Sequence, residues 1–235
     1  MYSQYLPKSV AIIPDGNRRW AKLHKFRLVT GYDIGINKAI DVSIWLSKLK
    51  IKSLSIWALS TENIKNRNKD ELKLLYRLYK STALDQKVLD KLKKHDAKVI
   101  IIGNLKLLPK DVRDALKKLE YATKDHKSTI INLLIGYGGQ EDILFAAKKM
   151  LSDKLKNKIK TINQKVFQSY LRSASLMNPD LIIRTSGEMR LSGFLPWQST
   201  YSELYFINKY WPEFNESDLK TAIKDYAKRH RRYGK

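Results

Sequence analysis

Six short apolar runs interleaved with segments of helical period constrain this 235-residue chain more than any other feature it has. Runs at 10–14, 53–59, 97–102, 128–135, 180–184 and 201–207 read as strands. Between them, residues 33–50 repeat apolar side chains at Ile36, Ile40 and Ile44, with Val42, Trp45, Leu46 and Leu49 widening the face. Residues 69–95 do the same through Leu72, Leu75, Tyr76, Tyr79, Ala83, Val88, Leu89 and Leu92. Segments 109–124, a stretch through Leu151, 164–172 and 216–230 read as further helices, and the Lys-rich 154–160 as a solvated connection. Buried strands alternating with helices predict an α/β fold with a mainly parallel six-stranded sheet flanked by helices on both faces. The length suits one core, and no repeat or linker divides 1–235, so a single domain is expected.

A parallel sheet brings the carboxyl ends of its strands to one rim, the place where open α/β sheets bind ligands. Three polar clusters follow such ends. After the first strand come Asp15, Gly16, Asn17, Arg18, Arg19 and Trp20. The two guanidiniums are planar forks suited to phosphate oxygens, and a turn entering a helix adds backbone N–H groups. A lone Asp among so many cations binds anions poorly but can hold a metal ion that itself touches phosphate. The second cluster is Ser60, Thr61, Glu62 and Asn63. The third places Arg184, Arg190 and Ser192 within nine residues of a Gly-containing loop, and Glu203, opening the next strand, is a second candidate metal carboxylate.

Lys and Arg number 46 against 23 Asp and Glu, a formal charge of +23. Nucleic acid, acidic lipid and diphosphate all suit that balance. A nucleic-acid protein would spread phosphate contacts along one face, using its Lys-rich helices and the terminal RHRRYGK. That reading leaves the three rim clusters without a purpose, and no nucleic-acid partner is expected. The absence of Cys excludes disulfides, thiolate catalysis and Cys-based zinc sites. The opening MYSQYLPKSVAIIP carries no signal-peptide core, and no run of roughly 18 apolar residues occurs. A cytoplasmic protein, at most resting on a membrane surface, is expected.

Taken together, DGNRRWA after the first strand, SxEN after the second, the GYGG segment and RTSGExRLSxFLxWQxxYxELYF resemble the cis-prenyltransferases, the undecaprenyl and dehydrodolichyl diphosphate synthase family. The likeness spans about residues 9 to 234. It implies sequential condensation of isopentenyl diphosphate onto an allylic diphosphate primer, farnesyl or geranylgeranyl diphosphate, with Z double bonds. The product would be a polyprenyl diphosphate such as undecaprenyl diphosphate, a precursor of glycosyl-carrier lipid. The resemblance also implies Mg2+ dependence, a homodimer, and transient contact with a membrane surface for product release. It casts Asp15 as the Mg2+-binding aspartate and Asn63 as an amide that helps proton removal, the two catalytic positions. Gly16, Asn17, Arg18 and Arg19 correspond to the allylic diphosphate site with Trp20 beside them, and Ser60, Thr61 and Glu62 to the second motif. Arg184, Arg190, Leu191 and Ser192 correspond to the isopentenyl diphosphate site. Glu203 corresponds to the second metal residue, acting from the partner subunit's side. Arg232 and Gly234 correspond to a C-terminal Arg-x-Gly that completes the site across the dimer.

Several positions depart from the family pattern, and all touch how the primer is held. Tyr32 stands where a His is usual; a Tyr can donate to phosphate but does not titrate near neutral pH. Arg27 is one place from the usual phosphate Arg, now Leu28, while Ile64 replaces an aromatic and Arg67 is offset in the same way. No DDxxD motif is present, which argues against a trans-prenyltransferase. A non-catalytic partner subunit of the family would have lost the equivalents of Asp15 and Asn63, and both are here. A growing hydrocarbon chain gains about 0.8 kcal/mol for each CH2 it buries. It therefore calls for an apolar tunnel between sheet and helices, with the faces of 33–50 and 69–95 as candidate walls.

Overall fold

The computed structural model describes residues 6–229. In chain order the elements are β1 (Ser9–Ile13), α1 (Asn17–Leu23), α2 (Leu28–Lys48), β2 (Ser53–Ser60), α3 (Thr61–Asn66), α4 (Lys69–Leu84) and α5 (Gln86–Lys94). Then come β3 (Ala97–Ile102), α6 (Lys110–Ala122), β4 (Thr129–Tyr137), α7 (Gly139–Leu155), α8 (Gln164–Tyr170), β5 (Leu181–Arg184), β6 (Glu203–Phe206) and α9 (Glu216–Lys228). The strands form one sheet in the order β3-β4-β2-β1-β5-β6, and every adjacent pair is parallel. The α/β single domain with a six-stranded parallel sheet is thus as the sequence predicts.

β1 is buried from end to end, as a central strand covered on both faces must be. Its side chains alternate across the sheet. Val10 and Ile12 join the larger core with Val42 and Leu46 of α2, Leu75 of α4, Val88 of α5, Leu116 of α6 and Leu219 of α9. Ala11 and Ile13 join a smaller cluster with Tyr137, Ile182, Phe194 and Leu195. Beside β1 the winding reverses, with β2 to β4 on one side and β5 and β6 on the other. Such a reversal leaves a crevice beyond the carboxyl ends of the strands.

Several boundaries differ from the sequence reading, each for an identifiable reason. The helix expected over 33–50 begins at Leu28 and takes in Gly31 and Tyr32. Gly31 serves close approach: a Cβ there would lie 2.7 Å from the Asn17 carbonyl oxygen of α1. The single helix expected over 69–95 breaks at Asp85, whose extended backbone ends α4 and whose side chain caps α5 by accepting the Lys87 N–H at 2.8 Å. The polar cluster after β2 is itself a short helix, α3, because the Ser60 Oγ accepts the Asn63 N–H at 2.9 Å. β4 continues through Tyr137, since its ladder with β2 extends to the Ser60 and Tyr137 pair. α7 runs to Leu155, into the expected Lys-rich connection. No helix among the described residues is long and apolar enough to cross a membrane.

Candidate active site

Two residues past β1 the chain turns at Asp15 and Gly16. The Asp15 backbone is tied down on both sides: its N–H donates to the Thr185 Oγ1 at 2.9 Å, and its carbonyl accepts the Thr185 hydroxyl at 2.8 Å and the Trp211 N–H at 3.0 Å. Gly16 has φ 102, and a Cβ there would meet the Tyr210 Cδ1 at 2.5 Å, so only glycine fits. The Asp15 carboxylate, 27 % exposed, pairs with the Arg19 Nη2 at 3.1 Å and the Arg184 Nη2 at 2.9 Å. Arg184 is almost wholly buried. Its Nη1 donates to the Ser192 Oγ at 2.9 Å and to the Arg190 carbonyl, and its Nε is buried without a partner. One carboxylate therefore sits between the arginine of the first cluster and that of the third.

Glu188 makes a second bridge, to the Arg19 Nη1 at 2.8 Å and the Arg190 Nη1 at 2.6 Å. The hydrogen bond from Arg19, then that from Arg190, hold its carboxyl below the ordinary value. Next to Arg18, whose Nη1 lies 3.5 Å from the Glu71 Oε2, the buried Tyr32 hydroxyl donates to the Glu71 Oε1 and accepts from the Arg67 Nη1 at 2.7 Å. Burial pushes this hydroxyl well above its ordinary range, so it holds its proton at neutral pH. The Arg67 Nε donates to the Asn63 Oδ1 at 2.8 Å, and the Asn63 Nδ2 donates to the Ser60 Oγ at 2.8 Å.

Two cavities meet at this rim. The smaller, about 320 Å³, is lined by Asp15, Gly16, Asn17, Arg18, Arg19, Tyr32 and Arg67. The larger, about 430 Å³, has Asp15, Asn17, Ser60, Glu62, Asn63, Arg67, Arg184 and Ser192 among its polar lining. Its apolar lining comes from Ile36 and Ile40 of α2, Leu75, Tyr79 and Ala83 of α4, Val88 and Leu92 of α5, and Leu116 and Leu119 of α6. Part of each apolar face named from sequence, Ile36 and Ile40 of the first and Leu75, Tyr79, Ala83, Val88 and Leu92 of the second, thus lines the same cavity as Asp15 and Arg184.

Other expected residues lie elsewhere. Trp20 is buried against Phe26, with ring centroids 5.4 Å apart, and does not line either cavity. Arg27 precedes α2 on the surface, the Thr61 hydroxyl donates to the Glu62 Oε1 at 2.9 Å, Ile64 packs on the larger core and Leu191 on the smaller. Arg190 contributes its carbonyl to Arg184 and leaves its side chain 61 % exposed. Arg232 and Gly234 lie outside the described residues. Glu203 is registered with Leu181, at the amino end of β5, while Arg184 at the rim is registered with Phe206. At three residues along a strand it stands roughly 10 Å from the rim, bonded to the Arg229 Nη1 at 2.7 Å. The three clusters share one rim, as expected, but within one chain Glu203 does not reach it, because a residue that opens a parallel strand lies at the opposite edge.

No group of three or more His, Asp or Glu that could hold a metal ion occurs among the described residues. A single partly exposed carboxylate beside a basic cavity still fits Mg2+, which keeps several waters and takes one or two carboxylates together with substrate phosphates. Glu71, Glu188 and Thr185 complete the site and were not singled out from sequence. Arg67 and Glu71 stand four apart, an ion-pair spacing that could have flagged them, and Glu188 lies inside the third cluster. Thr185 lies in the same cluster, directly after Arg184.

The profile of the undecaprenyl diphosphate synthase family matches residues 13–234. A Thermoplasma volcanium protein, tritrans,polycis-undecaprenyl-diphosphate synthase (geranylgeranyl-diphosphate specific), is 42 % identical over 231 residues, which is 97 % of this chain and 89 % of that one. A Methanopyrus kandleri protein of the same description is 42 % identical over 238 residues, 98 % of this chain and 85 % of its own. Among solved structures, lavandulyl diphosphate synthase from Lavandula x intermedia, in complex with dimethylallyl diphosphate, superposes with a TM-score of 0.94 at 34 % identity, over 99 % of this chain and 100 % of that one.

Proposed function

The chain belongs to the undecaprenyl diphosphate synthase family of cis-prenyltransferases, and from that premise we propose that it extends geranylgeranyl diphosphate with successive isopentenyl diphosphate units to a Z-polyprenyl diphosphate of the undecaprenyl class, a precursor of glycosyl-carrier lipid. The observation that supports this reading is the larger cavity, whose lining combines Asp15, Arg67 and Arg184 with the apolar side chains of four helices. The choice of primer is supported by the two archaeal relatives, both described as specific for geranylgeranyl diphosphate.

Two diphosphates of like charge must come within bond-forming distance. Arg18, Arg19 and Arg67 around the smaller cavity, and Arg184 with Ser192 across Asp15, supply the positive potential and the hydrogen-bond donors that allow it. Asp15 is the residue that would hold Mg2+ in this chain. When bound, the ion neutralises charge that develops on the departing diphosphate. Asn63 hydrogen-bonds at the place where the carbon bond forms and the proton leaves, and the apolar walls exclude water from the reacting carbons. Glu203, Arg232 and Gly234 enter the reading through a second copy of the chain, since Glu203 is remote from Asp15 within one. Product leaves during transient contact of this cytoplasmic, strongly basic protein with an anionic membrane surface.

The deciding experiment incubates purified protein with labelled isopentenyl diphosphate, farnesyl or geranylgeranyl diphosphate, and Mg2+, and reads product length by chromatography. Butanol-extractable label that depends on Mg2+ and favours the geranylgeranyl primer is expected; no transfer with any primer overturns the proposal. Ala83 on α4 is 2 % exposed and lines the cavity, so Ala83→Phe is expected to shorten the product, and an unchanged product length would remove this cavity as the path of the chain. Light scattering after size exclusion is expected to give a dimer. A fully active monomer would take Glu203 out of the metal site.

A further inference from the structure

Arg67 donates both toward Glu71, through the Tyr32 hydroxyl, and toward Ser60, through the Asn63 amide, and from this arrangement we infer that Glu71, by anchoring Arg67, is a positioning residue that fixes the Ser60 hydroxyl and the Asn63 amide as donors toward a substrate diphosphate. The inference rests on the reaction proposed above. Glu71 lies in the first turn of α4, outside the three polar clusters, with its side chain 11 % exposed. A carboxylate can only accept, so the Tyr32 hydroxyl must give its proton to Glu71. The lone pairs of that hydroxyl are then what the Arg67 Nη1 meets at 2.7 Å, and the same Nη1 pairs with the Glu71 Oε1 at 3.1 Å.

Arginine has donors alone, and its Nε points at the Asn63 amide at 2.8 Å. Only the amide oxygen can face it; the opposite flip would set N–H against N–H. The Asn63 Nδ2 is thereby directed to the Ser60 Oγ at 2.8 Å, where the Asn63 backbone N–H also arrives, at 2.9 Å. Both lone pairs of the Ser60 oxygen are then engaged, and what remains to that hydroxyl is donation. The Ser60 O–H and the second Nδ2 hydrogen are left on residues that line the larger cavity with Asp15 and Arg184. This wall therefore offers donors to an anion, and the Asn63 oxygen, held by Arg67, is not free to accept a proton.

Tyr32 suits this chain of bonds because one hydroxyl gives a proton to Glu71 and accepts one from Arg67 at the same time. Burial keeps it protonated at neutral pH, so it remains the donor to Glu71. Replacing Glu71 by Gln removes the charge that holds Arg67 in place with almost no change of volume.

Pyrophosphate binding by the full-length protein, measured by calorimetry, tests the inference without requiring turnover, and steady-state kinetics with both substrates provide a second readout. Glu71→Gln is expected to weaken pyrophosphate binding and lower kcat/KM about tenfold, with an unchanged unfolding midpoint. Tyr32→Phe should act in the same sense. Because Glu71 works through Ser60, the double change Glu71→Gln with Ser60→Ala should cost no more than the worse single change. Wild-type affinity in Glu71→Gln, or losses that multiply in the double variant, would overturn it. A wild-type protein that binds pyrophosphate but turns over no primer would instead sink the proposed reaction and leave the binding result to decide the role of Glu71.

Discussion

Asp15→Asn lowers kcat/KM by about a thousandfold or more while the fold stays in place, because it removes the carboxylate that pairs with both Arg19 and Arg184 without emptying the space it fills. The asparagine oxygen still accepts from the Arg184 Nη2, now 2.9 Å from the carboxylate. It carries no charge with which to hold Mg2+ against Arg19 and Arg184. Asp15→Ala is expected to lose the same activity and, in addition, to unfold at lower temperature, since the almost wholly buried Arg184 would be left without its counter-ion. Comparing the two variants by kcat/KM over a Mg2+ titration and by thermal unfolding separates the two effects. Activity within tenfold of wild type in either would mean that the metal is held elsewhere.

Arg184→Lys, nominally conservative, is expected to cost about a hundredfold or more in kcat/KM for isopentenyl diphosphate. The guanidinium reaches three partners at once: the Asp15 carboxylate through Nη2, and the Ser192 hydroxyl and Arg190 carbonyl through Nη1. A single ammonium cannot span that set, so either the carboxylate or the loop after β5 loses its tie. A lower unfolding midpoint should accompany the kinetic loss, with KM for isopentenyl diphosphate changing more than KM for the primer. If KM for isopentenyl diphosphate stayed at its wild-type value, the assignment of Arg184 to that substrate would be wrong.

The parts of the site that could be read in advance are those whose chemistry and strand position coincide. Asp15, Arg18, Arg19, Ser60, Asn63, Arg184 and Ser192 each follow an apolar run closely, and a parallel sheet leaves such residues at one rim. Glu203 shows the limit of that argument: it neighbours a strand too, but at its beginning, and one strand length carries it to the other edge. Trp20 shows another, since its place in a functional motif says nothing about where its ring turns, and the ring packs on Phe26. The break at Asp85 was obscured because the apolar period continues through it and only the cap betrays it.

The order of strands and helices, the position of the charged rim and the family itself were determined by the sequence alone, because periodicity, strand ends and motif spacing are properties of neighbouring residues. Tertiary structure decided which groups are paired: Asp15 with an arginine 169 positions away, Thr185 with the Asp15 backbone 170 away, and Tyr32 between Arg67 and Glu71. Hydrogen bonds require contact within about 3 Å. Only the folded backbone brings such distant segments that close and decides which donor meets which acceptor.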